Sequence, residues 1–181
     1  MRNMMSLLRR LARDRRGVSA VEFALLAPVM ITLLVCTAEM SEGVGADRKV
    51  SLVTAALANL TAQSTTLSST QMTNILDASS SIIAPYSSSL LSMTVSCLKI
   101  DTNKVATVRW SVTRGGAANS GTTTIPNALA VPGSLIYSQV SYAFTPNLGG
   151  RITGTLTLSD KMYMSPRISA PSYPDAAHPC S

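Results

Sequence analysis

The run Arg15–Ala38, R-R-G-V-S-A-V-E-F-A-L-L-A-P-V-M-I-T-L-L-V-C-T-A, decides how the rest of the chain is read. From Val18 to Ala38 the run carries a single charge, Glu22. As a helix, about 21 residues rising ~1.5 Å each reach ~31 Å, the thickness of a bilayer's hydrocarbon core. The run therefore predicts a transmembrane helix near the N-terminus. Glu22 is costly there, by about 2.5 to 3.5 kcal/mol at a bilayer centre and less near an edge, so it either snorkels to the interface or has a partner.

Charge is distributed around this run in a telling way. Arg2, Arg9, Arg10, Arg13, Arg15 and Arg16 against Asp14 place +5 of the chain's +6 in the first 16 residues. Beyond the run, residues 39–49 hold Glu39, Glu42 and Asp47 against Arg48 and Lys49. The positive-inside rule then keeps the N-terminus cytoplasmic and sends the C-terminal part across. A basic nucleic-acid arm is the rival reading of this charge, and no basic patch interleaved with aromatic residues follows the leader to support it. A cleavable secretory signal is the competing reading, since Cys36-Thr37-Ala38 has the small-x-small pattern of a signal peptidase site. A lipoprotein would need a small residue in place of Val35, and the arginine pairs lack the continuation of a twin-arginine signal.

The residues at the mouth of the run carry a family resemblance. Gly17 follows the arginines, and a cut after it makes Glu22 the fifth residue of the new chain, with aromatic Phe23 next. This resembles the leader-peptidase site of type IV prepilins. More narrowly, Gly17-Val-Ser-Ala-Val-Glu22-Phe23 is similar to the G-x-x-x-x-E-[YF] site of the tight-adherence (Tad/Flp) system in its TadE-like minor pseudopilins. Ala24-Leu25-Leu26-Ala27-Pro28 matches the A-L-L-x-P run that tends to follow, and Ser165-Pro166-Arg167 resembles the family's Pro-Arg ending. The match covers about 25 residues of the chain, and beyond Ala38 the likeness is one of layout.

The resemblance implies cleavage by a prepilin peptidase between Gly17 and Val18. It further implies a bacterial inner-membrane, single-pass protein whose C-terminal domain is periplasmic or extracellular. Glu22 would pair with the new amino group of Val18 on a neighbouring subunit, and Phe23 would share in the packing. Its partners would be membrane lipid, the peptidase and other pilins or pseudopilins, with no nucleic acid and no small-molecule substrate. The length fits a minor component better than the major pilin, whose chains are much shorter.

Downstream, the layout is 1–17 leader, 18–38 transmembrane helix, 39–63 helix extension, 64–167 exported α+β domain and 168–181 Pro-rich tail. Pro28 should kink the span. Leu52, Val53, Ala56, Leu57 and Leu60 recur at helical spacing, with Gly43 and Gly45 as a bend. Ser64–Ser69 reads as a loop, and Thr70–Ile83 as a second helix stopped by Pro85. Apolar residues then alternate with polar ones over Leu91–Cys97, Ala106–Val112, Ile136–Phe144 and Ile152–Leu158, predicting four strands. The strands pair as hairpins through Asp101–Lys104 and Pro146–Gly150, with Gly115–Thr124 a flexible polar loop. The fold class is α+β: a long N-terminal helix and a small antiparallel sheet of about four strands, a pilin-like plan. With an aromatic fraction of 4%, the core rests on Val, Leu, Ile and Met.

Catalysis has little to start from. His178, the one histidine, stands two residues from Cys180 in the tail, the acidic residues after Glu42 are scattered, and no phosphate-binding glycine motif is present. No enzyme, metal or cofactor is expected. Cys36 lies in the apolar run, whereas Cys97 and Cys180 would both face an oxidising compartment; they either pair, pinning the tail to the first strand, or stay free thiols. The functional alternative to a pseudopilin is a membrane-tethered or secreted extracellular binding module.

Overall fold

The structure, a computed structural model, describes residues 17–146, Gly150, 154–174 and 179–180. The leader over 1–16, His178 and the start of the expected last strand at Ile152 lie outside the described residues. The fold is α+β: a long apolar N-terminal helix followed by an antiparallel sheet of five strands. It divides into two compact units, residues 1–41 and 42–181.

Helix α1 spans Val18–Ala62 and is uninterrupted at Pro28, Gly43 and Gly45. The first unit holds its apolar portion. Leu25, Leu26, Ile31, Leu33 and Leu34 are all exposed, because apolar side chains surround the helix on every side and no other described residue of this unit lies outside it to cover them. The Thr32 hydroxyl donates to the Pro28 carbonyl (2.7 Å), and Thr37 donates to Leu33 (2.7 Å). These back-bonds satisfy both hydroxyls inside the helix, as an apolar environment requires.

In the second unit, Ala46, Val50, Val53, Leu57 and Ala62 of α1 are fully buried. Their three- and four-residue spacing forms one stripe, and that stripe is the spine of the main core. Gly43 and Gly45, expected to mark a bend, are a place of close approach. A Cβ on Gly45 would lie 3.0 Å from the Tyr86 hydroxyl, and one on Gly43 would lie 3.5 Å from the Phe144 ring. The Tyr86 hydroxyl donates to the Glu42 carbonyl (3.0 Å), so the loop after the second helix is tied to α1 here.

Helix α2, Ser69–Ser81, starts with a capping box that the Ser/Thr-rich loop hides. The Ser68 hydroxyl accepts the Gln71 N–H (3.2 Å), and the Gln71 side chain accepts the Ser68 N–H (2.9 Å). Met72 and Leu76 turn into the core.

The sheet comprises β1 Leu91–Ile100, β2 Ala106–Arg114, β3 Thr122–Thr123, β4 Gly133–Phe144 and β5 Leu156–Met164. Their order is β3-β2-β1-β4-β5, every pair antiparallel. Two hairpins, β1–β2 and β4–β5, are thus joined along β1 and β4. Met93, Val95 and Cys97 of β1, Trp110 of β2 and Ile136, Val140 and Tyr142 of β4 face the helices. Deep in this layer the Ser138 hydroxyl donates to the Thr54 carbonyl of α1 (3.0 Å), tying β4 to the spine.

The last strand differs from the alternation expected over Ile152–Leu158. Gly154 adopts φ +71°, a left-handed conformation outside the strand, and pairing begins at Leu156 and continues to Met164 opposite Ile136. Because β4 lies beside β1, the chain leaving β2 must cross β1 to reach it. The segment expected to be a flexible loop therefore runs across the sheet's outer face. Thr94 donates to the Ala117 carbonyl (3.3 Å), Ser96 bonds Ser111 (2.8 Å), and the Asn119 amide donates to Ser96 (3.0 Å). Further along, Ile125 and Ala130 cover Leu98, Ile100, Leu135 and Tyr137 in a second cluster. The crossing also brings in β3, the strand that alternation does not show.

Candidate functional site

The residues singled out at the head of the apolar run sit on the first turns of α1. The helix begins at Val18, directly after Gly17. With 3.6 residues per turn, Glu22 falls one turn on, on the same face as Val18, and Phe23 is its neighbour around the helix. Gly17, Val18, Glu22 and Phe23 are all exposed, Phe23 at 71%. Among the described residues Glu22 has no ion-pair partner; the one salt bridge there is Arg114–Asp77 (2.7 Å), between exposed side chains. Among the described residues, then, a carboxylate and a large ring stand exposed on an apolar helix.

The second constellation lies at the end of the chain. Cys97, buried on β1, and Cys180, buried near the C-terminus, are joined by a disulfide with their Cα atoms 6.0 Å apart. The described residues of the tail are held at several points. Arg167 N–H donates to the Ala62 carbonyl at the end of α1 (2.9 Å), and its guanidinium donates to the Asn59 side chain (2.7 Å). Ser172 then forms a parallel bridge with Thr66 of the α1–α2 linker, accepting the Leu67 N–H (2.9 Å) and donating its own N–H to the Thr65 carbonyl (3.2 Å). The Trp110 indole donates to the Pro171 carbonyl (2.9 Å), with the Tyr173 ring 5.6 Å away, and the Ser134 hydroxyl donates to the Cys180 carbonyl (2.8 Å). What composition marks as a Pro-rich tail is a strap that closes the core. Sequence reasoning missed its course; the lone Trp was the one available signal, since a buried indole N–H needs an acceptor.

Electrostatics within the second unit are mild. Burial raises the Tyr137 hydroxyl above its usual value, with Tyr163 adding to it; their rings lie 5.0 Å apart. Burial also raises Tyr163, and raises Tyr142 despite an opposing backbone hydrogen bond from Ser87. The described residues contain no group of three or more His, Cys, Asp or Glu that could hold a metal ion. The free Cys36 is exposed on the apolar part of α1.

Comparison with protein-family models, with curated proteins and with solved structures finds no match for this chain.

Proposed function

We propose that this chain is a TadE-like minor pseudopilin of a tight-adherence (Tad/Flp) type IV pilus system. It is made with a basic leader, crosses the bacterial inner membrane once with its N-terminus cytoplasmic, and exports residues from Glu39 onward. A prepilin peptidase cuts after Gly17, and the mature subunit acts by helix packing, not by turnover. The new Val18 amino group and the Glu22 carboxylate pair between subunits, which supplies the partner that an intramembrane carboxylate needs. Ser19, Ala20 and Ala24 let neighbouring helices approach closely.

The observation that carries this reading is the junction at Gly17. The arginines end, α1 begins, Glu22 arrives one turn later, and the apolar side chains beyond it are exposed in a helix long and apolar enough to cross a membrane. The expected result of N-terminal sequencing on protein extracted from membranes is a chain beginning at Val18. A terminus at Glu39 would instead mean a secreted domain, and an intact Met1 a plain anchor. Glu22→Ala separates the pseudopilin from a tethered binding module. Pilus assembly should be lost while the protein remains inserted; unaffected assembly leaves the binding module as the better reading.

A further inference from the structure

The two edges of the sheet are left in different states. At one, β3 pairs with the start of β2 through Ala106–Thr123 and Thr107–Thr122, and the Val108 N–H donates to the Gly121 carbonyl (2.8 Å). The other edge is β5, nine residues that pair with β4 in unbroken register and, among the described residues, have no strand on their far side. None of the nine is buried. β5 also lacks most of the devices that blunt such an edge: it is not short, holds no proline and has no bulge. Its one protection is charge, at Asp160 and Lys161, where the Asp160 carboxylate accepts the Lys161 N–H (2.8 Å).

A row of main-chain N–H and C=O groups along one side of a strand is matched in kind by another extended backbone. The side chains say which. On the side of the sheet that faces the helices, Leu158 and Met164 pack against the main core and Leu156 is exposed at 47%, while Thr157, Ser159, Lys161 and Tyr163 alternate onto the other side. Neither Asp160 nor Lys161 has an ion-pair partner among the described residues, and β4 beside them carries no charged residue. A second copy suits this edge poorly. Continuing the sheet antiparallel about a two-fold axis, at full overlap, sets Asp160 opposite its own counterpart; sliding the copies by a step shortens the overlap, and in one direction sets Lys161 opposite itself. We propose that β5 is a strand-addition edge for an extended segment of a different protein, with apolar residues opposite Leu156, Leu158 and Met162, a base opposite Asp160 and an acid opposite Lys161. The proposal uses the second unit alone, so it stands or falls separately from the pseudopilin reading.

The probe is the peptide Val-Thr-Val-Glu-Lys-Thr-Val-Thr-Val with a fluorophore at its N-terminus and an amide at its C-terminus, which antiparallel to β5 sets its Lys opposite Asp160 and its Glu opposite Lys161. Binding to the full chain in nonionic detergent is followed by fluorescence anisotropy. The expected result is saturable binding that weakens about tenfold when the probe's Glu and Lys are exchanged, and about fivefold in Lys161→Glu. Lys104→Glu, at an exposed position in the β1–β2 hairpin, should leave it unchanged. Two further probes carry N-methyl groups on alternate amides, one on each set. One should lose binding and the other keep it, because only one set faces the edge. No saturable binding overturns the proposal. So does binding that neither methylated probe loses, because the contact would then not be made by main-chain hydrogen bonds. Equal affinity for the exchanged probe overturns the charge pairing and the choice of partner with it. A chain that sediments as a dimer and is made monomeric by the probe overturns the proposal too, by assigning the edge to a second copy.

Discussion

Helix α1 places the same kinds of residue in two opposite situations. Over 18–41 its leucines and isoleucine are exposed, Leu34 at 71%, while over 42–62 Val50, Val53 and Leu57 have no exposure at all. Propensity does not separate the halves, since both are good helix. The difference lies in the pattern. The second half confines its apolar residues to a stripe that one sheet and one short helix can cover, with Asp47, Arg48 and Asn59 elsewhere around it. The first half has no polar face, so a domain with so thin a core could cover only part of it. By length and composition that half is apolar enough to cross a membrane.

Breaking the covered half at its far closure should have the largest effect. Cys180→Ser opens a loop with a sequence separation of 83, and should lower the domain's unfolding free energy by about 4 kcal/mol. Urea unfolding of the full chain in lipid discs would show it, with the helicity of residues 18–41 unchanged and reductant reproducing the loss in the unsubstituted protein. The comparison is sharpened most directly by one substitution made twice on the same helix. Leu57→Ala should destabilise the domain by about 3 kcal/mol, whereas Leu34→Ala should leave its urea midpoint within about 0.5 kcal/mol of the original. Equal losses at the two positions would show that the first half packs on the domain after all.

A smaller effect belongs to the strap. Trp110→Phe keeps the ring but removes the N–H that bonds Pro171, with an expected loss of about 1 to 2 kcal/mol in the same urea titration. The smallest is a pH effect confined to the covered unit. Burial keeps Tyr137, Tyr142 and Tyr163 protonated above the usual value of 10.0, so the folded domain retains protons that the unfolded chain has released. Their contribution is intact below about pH 10 and declines as pH rises through that value. A urea midpoint that falls there, in step with tyrosinate absorbance, is the expected outcome.

Much of this was legible residue by residue. Alternation marks β1, β2 and β4 because each has one face on the helices, and the 3.6-residue stripe marks the packed half of α1. The Gly17–Phe23 stretch could be placed on the helix for a different reason: it spans about two helical turns and needs no distant residue. Among the described residues no basic side chain forms an ion pair with Glu22. Other features are hidden because their meaning depends on what lies opposite. Thr94 and Ser96 read as solvent-facing, yet the crossing segment buries them and bonds their hydroxyls. Gly43 and Gly45 read as a bend, yet they make room for Phe144 and Tyr86.

By itself, then, the sequence determined the long apolar helix, its charge flank, the amphipathic continuation and the alternating strands, because each depends on periodicity and composition within a few turns or one strand. Only the tertiary structure decided that β4 lies beside β1, that residues 115–132 must therefore cross the outer face, and that the tail returns over Trp110 to bring Cys180 to Cys97. Those are choices among partners far apart in the chain, and they are settled by which buried hydroxyls, indole and apolar faces can be satisfied together, a condition that no local stretch carries.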